Sequence, residues 1–529
     1  MTFDQLQFPR SQVDVSLYKL RVRIDLINGS EQRVLRIEAK LDDIRRLNVL
    51  WKNHLSKPNV SRTEMQSLMQ ELSEKQADVE EALSNACARG AQFSDIRLES
   101  SEGTSISTKD GITKINSSNE LGAGIRAFLD GAWGFAYTTQ VDRKGLLNCA
   151  ERAVSLAKAV FARAEKFSID VPVFEDAVTP NVQQLPTHVS IADKLNYVLH
   201  QEQEAKATDD RVNSTEIGYS DLVLRKIIAN SEGTYIDETA VRSIARAMIF
   251  AKEGALRQSG YKARGDSKGF ELFSDDADIG RIAASQAVSL LDAKPAPSGQ
   301  FEAMLDPSLS GVFAHEAFGH AAEADAIISG TSILAGKLNH KIGSEAVSIV
   351  DDPSLQSYGY LAYDDEGIQT RRKVLMERGI LQSYLTDVET GSRLGLGSNG
   401  SARAQRYDDP PIVRMSNTFF EPGDYTFDEL LDGFSGIYFV GWQYGYTTPT
   451  TGMLTFKSRE AYVVEHGELR DHLRDAALSA MTLEVLHNIS AIGQTLTFEP
   501  GTCGKGGQMT PNTTGGAYMR VSNVVVGGI

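Results

Sequence analysis

The stretch Ala314-His315-Glu316-Ala317-Phe318-Gly319-His320 constrains this chain more than any other, because it sets two histidines five residues apart with a glutamate beside the first. Imidazole is the commonest protein ligand for zinc, and a glutamate next to a ligand can take the proton from metal-bound water. In the familiar H-E-x-x-H pattern the histidines stand about 40° apart around a helix and share one metal. A five-residue spacing gives about 140° on an ideal α-helix, which points the rings apart. A π-type bulge lowers the angle per residue and returns positions i and i+5 to one face. Gly319 loosens the backbone at that point. The spacing therefore predicts a distorted helix carrying His315 and His320 as metal ligands, with Glu316 as the base.

A catalytic zinc takes three protein ligands and keeps one position open, so a third ligand has to arrive from elsewhere in the chain. Of the three cysteines, Cys503 lies in a glycine-dense turn, Gly501-Thr502-Cys503-Gly504-Lys505-Gly506-Gly507. Such a turn allows close backbone approach, and Lys505 is expected to draw the thiol toward the thiolate that a metal needs. Cys87 sits in a helical pattern that ends at Gly90, and Cys149 in Leu146-Leu147-Asn148-Cys149; both read as small buried hydrophobes.

The pair His315-Glu316-x-x-x-His320 and Gly501-Thr502-Cys503-Gly504-Lys505 resembles the TldD/PmbA family of metallopeptidases, on the TldD side. Further similar stretches follow in order: Asp364-Asp365-Glu366-Gly367, Arg414-Met415-Ser416-Asn417-Thr418 and Val525-Val526-Gly527-Gly528. Asp95-Ile96-Arg97, Gly122-Ala123-Gly124-Ile125-Arg126 and Gly131-Ala132-Trp133-Gly134 are weaker matches in the N-terminal half. The resemblance covers residues 78–529. It implies that His315, His320 and Cys503 hold Zn2+, that Glu316 is catalytic, and that the chain is the catalytic subunit, since PmbA/TldE-like sister subunits lack this set. It also implies a dimer, commonly a heterodimer with such a sister subunit, enclosing the site so that only unfolded chains enter.

Residues 1–77 have no counterpart in that family pattern and form an N-terminal extension of undecided role, either an oligomerisation arm or a lid. Tyr18–Leu26 and Arg33–Ala39 alternate like strands on either side of an Asn28-Gly29 turn, and Ser61-x-x-Glu64 opens a helix reaching Arg89. The proline-bearing segment Lys294-Pro295-Ala296-Pro297 marks a boundary. Residues 78–295 then read as an N-terminal α/β domain, with helices near 143–165, 190–207 and 274–291 and turns at Asp110-Gly111, Asp130-Gly131 and Glu232-Gly233. Residues 296–529 read as a largely antiparallel β C-terminal metallopeptidase domain carrying the metal-binding helix, for an α+β chain as a whole. The string Ser-Glu-Gly-Thr at Ser101–Thr104 and Ser231–Thr234 suggests an internal repeat.

Composition closes off other classes. A balance of 54 basic and 70 acidic residues, net −16, disfavours a nucleic-acid partner, although the resembling family has carried a label as a modulator of DNA gyrase. No apolar run is long enough to span a membrane, no signal peptide opens the chain, and three cysteines leave no disulfide framework, which together point to the cytoplasm. Gly395-x-Gly397-x-x-Gly400 lacks the preceding strand of a dinucleotide fingerprint and reads as a loop near the site, and Gly504-Lys505-Gly506 lacks the spacing of a phosphate loop. The acidic pairs Asp351-Asp352 and Asp364-Asp365-Glu366 read either as outer partners of the metal or substrate amine, or as a solvated turn. The expectation is a zinc-dependent peptidase that hydrolyses unstructured peptides with metal-activated water. Two alternatives stay open: a non-catalytic scaffold with a structural metal, and a cysteine hydrolase with Cys503 as nucleophile. No substrate-binding residue is identified.

Overall fold

The computed structural model describes residues 21–26 and 33–40 as backbone, and residues 72, 74–160, 165–274 and 278–528 more fully. The alternating N-terminal runs form strands β1 (Arg21–Leu26) and β2 (Arg33–Lys40), paired antiparallel with Arg21 opposite Glu38. The Asn28-Gly29 turn, the Ser61 capping box and the first part of the long helix lie outside the described residues. What is described of that helix is α1 (Gln76–Ala88).

Three long strands follow: β3 (Phe93–Lys109), β4 (Ile112–Leu129) and β5 (Ala132–Thr138), then helix α2 (Arg143–Val160). Asp110-Gly111 and Asp130-Gly131 supply the two connections, each with both residues at positive φ, the geometry of a tight hairpin. A short strand β6 (Glu175–Val178) and helix α3 (Ile191–Thr208) lead into β7 (Val212–Asn230), β8 (Tyr235–Glu253), β9 (Leu256–Asp266) and helix α4 (Ile279–Ser289). All nine strands join one sheet. Its middle runs β5–β4–β3–β7–β8–β9, antiparallel at every step.

That order is a helix–three strands–helix unit used twice, the two units meeting along β3 and β7. Each buries its own apolar core: Val79, Leu83 and Leu146 with Ile96 and Ile125 in one, Leu195, Val198 and Ala283 with Ile217 and Ile249 in the other. In each unit a glycine of the third strand lies under a helix carbonyl. A Cβ on Gly134 would meet Ala153 O at 2.0 Å, and one on Gly260 would meet Ala283 O at 2.0 Å. A repeat is therefore present, but the Ser-Glu-Gly-Thr strings do not mark it. Ser101–Thr104 lies inside β3, whereas Ser231–Thr234 forms the turn between β7 and β8. The edges are matched as well: β2 pairs with the start of β4, and β6 with the start of β8. The N-terminal extension thus lengthens the sheet.

The remaining strands form an eight-stranded and a six-stranded sheet, with a two-stranded ribbon between Ala402–Arg403 and Ile412–Val413. In the larger sheet, β10 (Gly299–Leu305) lies between Gly436–Thr448, parallel to it, and Met519–Gly528, antiparallel. The smaller ends in a hairpin of β11 (Thr497–Lys505) and β12 (Gln508–Gly516). The Gly506-Gly507 link has φ of 60° and 82°, which a side-chain-bearing pair adopts only with strain. Between the two sheets runs helix α5 (Pro307–Val312), capped by Asp306, whose carboxylate accepts from Leu309 N. It passes without a break into a π-helical segment, Phe313–Gly319, and a short 3-10 turn, His320–Ala322. Phe313, Ala314, Ala317, Phe318 and Ala321 are buried in the core shared by the sheets.

Candidate metal centre

The π-helical turn is where the five-residue spacing requires it, and it brings both imidazoles to one side with ring centroids 5.1 Å apart. The glycine in that turn has a different job from the one the sequence suggests. Gly319 has ordinary helical angles, φ −60° and ψ −49°. What it provides is room, since a Cβ there would lie 2.0 Å from Met415 Sδ. Gly311, two turns earlier, lets the helix lie on backbone, for a Cβ would stand 2.2 Å from Gly515 N. These two close approaches press the metal helix onto the six-stranded sheet.

That pressing brings Cys503 of β11 to the histidines. Cys503 Sγ lies 3.4 Å from His320 Nε2, and ligand atoms of His315, His320 and Cys503 all fall within 4.8 Å of one another. No fourth such residue joins the group among the described residues. His315 and Cys503 are buried, at 2% and 7% exposure. Burial pushes the Cys503 thiol up, but hydrogen bonds and charge from His315 and His320 outweigh it and bring the thiol down to about 5. Lys505 is not the cause. Its ammonium points instead at Glu323 Oε2, 3.0 Å away, and at Asp325 Oδ2, 2.7 Å away.

Each imidazole is oriented by a group behind it. His320 Nδ1 stands 3.0 Å from Glu323 Oε2, so an Nδ1–H donated there leaves the Nε2 lone pair facing Cys503. Burial works against a charged His320, yet the Glu323 carboxylate overrides it and holds the imidazole well above its usual range. Glu323 is itself held below the usual carboxylate range, because His320 and Lys505 outweigh the desolvation of its buried position. His315 Nδ1 faces the Asn512 amide at 3.1 Å, and Asn512 Oδ1 is buried with no partner of its own. A half-turn of the amide sets that oxygen against an Nδ1–H and frees His315 Nε2 for a metal. Once His320 Nε2 gives up its proton, two nitrogen lone pairs and an acidified thiol converge, a donor set that suits a zinc-like ion. Glu316 differs from these residues in standing at the rim. Its side chain is 37% exposed, and its Oε2 lies 3.9 Å from His320 Nε2.

Asn512 and Arg414 escape a reading of the sequence. Counting back from the Gly506-Gly507 link pairs Gly501 with Asn512, which places Asn512 on the Cys503 face of the hairpin. Arg414 is fully buried and donates from Nη2 to Cys503 O and from Nη1 to Gln508 O, clasping both strands of that hairpin. Only its place in the resembling motif hinted at a role.

Other sequence expectations resolve differently. Asp351 is buried against Lys373 Nζ at 2.9 Å and accepts from Ser416 and Thr418. Asp365 meets Lys226 of β7 at 3.0 Å, and Glu366 meets Arg126 of β4 at 2.7 Å. These acidic residues are neither a solvated turn nor partners of the metal cluster. Asp351 and Lys373 pair within the six-stranded sheet, whereas Asp365 and Glu366 form a buried ionic layer between the nine-stranded sheet and the loop that carries them. Burial raises the Asp365 carboxyl, but Lys226 and Arg97 outweigh it and hold it down at about 2. Gly395, Gly397 and Gly400 follow the helix Val388–Leu394, which Gly395 caps in a left-handed conformation. Cys149 is buried as expected, whereas Cys87 is only half-buried. Among the described residues no helix is long and apolar enough to cross a membrane.

Three family models match the chain: PmbA/TldA metallopeptidase domain 1 over residues 94–157, the central domain over 184–291 and the C-terminal domain over 298–528. A metalloprotease of Methanothermobacter thermautotrophicus is 38% identical over 443 residues, covering 83% of this chain and 96% of its own. A protein of Saccharolobus solfataricus described as a zinc metalloprotease TldD homolog is 27% identical, covering 83% of this chain and 97% of its own. Among solved structures, TldE from Thermococcus kodakarensis superposes with a TM-score of 0.70 at 18% identity, over 85% of this chain and all of that one, so the fold is shared.

Proposed function

The chain belongs to the PmbA/TldD metallopeptidase family, and from that premise we propose that it hydrolyses unstructured peptides with a Zn2+ ion held by His315, His320 and Cys503. The observation that carries this is the convergence of those three side chains with a partly exposed carboxylate, Glu316, at their rim. The zinc named for the Saccharolobus relative supports the choice of ion. A bound zinc supplies Lewis acidity, polarising the scissile carbonyl and making a water acidic near neutral pH.

The chain's own residues do the rest. Glu323 and Asn512 keep the imidazoles turned inward. Glu316 takes a proton from the attacking water as the new C–O bond forms, then gives it to the leaving amine nitrogen as the C–N bond breaks. The peptide lies along β11, the last strand of its sheet, whose outer edge pairs with no other strand among the described residues. Backbone bonds to such an edge give affinity with little sequence preference. We further read the protein as cytoplasmic, where its three free cysteines remain reduced, and as one half of a dimer, with a PmbA/TldE-like subunit as the candidate partner.

One observation favours a second reading. Cys503, His320 and Glu323 also stand in the order of a thiol nucleophile, its base and an orienting carboxylate. Metal analysis separates the two. Protein purified without chelators is expected to carry about one zinc per chain, and His315→Ala, His320→Ala and Cys503→Ala to lose it along with activity. A metal-free preparation with full activity would overturn the zinc reading and leave the thiol one.

A further inference from the structure

We propose that Lys505 is a positioning residue that gathers the metal ligands before any metal binds, by tying the strand that supplies the sulfur to the helix end that supplies a nitrogen. The proposal rests on reading His315, His320 and Cys503 as the ligands. Lys505 lies on β11 two residues beyond Cys503, so its side chain leaves the same face of the strand. Its ammonium sits 3.0 Å from Glu323 Oε2, and the same oxygen lies 3.0 Å from His320 Nδ1. His320 Nε2 in turn lies 3.4 Å from Cys503 Sγ. The contacts therefore close a ring: Cys503 to His320, His320 to Glu323, Glu323 to Lys505, and Lys505 back along two residues of strand to Cys503. A closed ring fixes the sulfur-to-nitrogen separation, where an open chain of the same contacts would leave the hairpin and the helix free to part.

The ammonium has nothing left for another task. Its three N–H donors face three acceptors: Glu323, Asp325 at 2.7 Å and Val413 O at 2.9 Å. Glu323 is 2% exposed, and its other oxygen, Oε1, has no partner. With Lys505 removed, a buried carboxylate would keep only the imidazole N–H, an arrangement that low-dielectric surroundings strongly disfavour. Glu323 would then turn toward solvent and release the His320 ring. On the next strand Asn512 orients His315 by a neutral amide, so the two histidines are held by unlike devices and only one depends on Lys505.

The test is zinc affinity, measured on the full chain after chelator stripping, by competition with a chromogenic chelator. Lys505→Met is expected to weaken zinc binding about 10–100-fold, the usual cost of losing an outer partner of a ligand. Lys505→Arg, which keeps the charge, should recover most of that loss. The metal-dependent rise in melting temperature should shrink in step, which a merely structural role for Lys505 would leave unchanged. Wild-type affinity in Lys505→Met would overturn the proposal. Should that variant not fold, Lys505→Gln tests the same point with the same readout. A wild-type chain that binds no zinc refutes the metal reading itself, whereas a zinc-binding wild type with an equally tight Lys505 variant refutes only this inference.

Discussion

Glu316 and Glu323 lie seven residues apart in one segment, yet their surroundings assign them opposite work. Glu323 is buried, bonded to His320 and paired with Lys505, so it has no access to a substrate water. Glu316 is partly exposed and is the candidate base. Glu316→Gln keeps the size and polarity of the side chain but cannot accept a proton at neutral pH. It is expected to retain zinc and stability while peptidase turnover falls about 10²–10⁴-fold. Turnover above about a tenth of wild type would remove Glu316 from the mechanism, and the buried Glu323 is no substitute for it. Much of this was legible in the sequence, because a histidine–glutamate–histidine cluster is rare and its chemistry is specific. The roles of Lys505 and Gly319 were misread for one reason: both depend on what another segment brings to them, Glu323 in one case and Met415 in the other.

At the level of elements, the metal helix is placed by close approach. A Cβ at Gly311 would meet the Gly515 backbone, which cannot move without disturbing β12. A Cβ at Gly319 would meet the sulfur of Met415, a flexible side chain that can swing aside. Gly311→Ala is therefore expected to cost more stability than Gly319→Ala, within the range of about 1–3 kcal/mol typical of overpacking. Chemical denaturation of both variants checks the order, and a larger loss in Gly319→Ala would contradict it. The π-helical turn itself could be anticipated, since five-residue spacing admits few other solutions. The hairpin that carries Cys503 could not, because its register follows from the Gly506-Gly507 link and from Arg414, which clasps it from 89 residues away. The duplicated unit of the large sheet was likewise hidden. Its repeat is one of strand order and of Gly134 and Gly260 beneath their helices, and so few shared residues leave almost no signal in the chain.

For the whole molecule, the ionic layer sets how the nine-stranded sheet meets the rest. Asp365, raised by burial but held down at about 2 because Lys226 and Arg97 outweigh it, contributes stability that is present above about pH 4 and lost as the pH falls through its folded value. Asp365→Asn should destabilise the protein by about 3 kcal/mol at pH 7, since Lys226 keeps only Glu238, with the difference narrowing toward pH 2. Urea titrations of both proteins across that range decide it; a difference that stays constant would show that the Asp365 charge does not supply this stability. Substrate form is also a property of the whole. A strand edge can bind only a peptide whose N–H and C=O groups are unpaired, so an unstructured peptide of about ten residues should be cut and a stable folded domain containing it spared. The acidic balance adds a mild preference for neutral or basic peptides at low salt. Equal cleavage of folded and unfolded forms would argue against the edge. The spacing of the ligands has one more consequence, for the moment of synthesis. Cys503 follows His320 by 183 residues, and the strands of two sheets must be made and paired before sulfur and nitrogen meet. A peptidase that attacks unfolded chains would otherwise threaten its own growing polypeptide. On the proposed reading, the nascent protein would have no centre with which to cut itself, and activity would arise only once folding had removed its nearest victim.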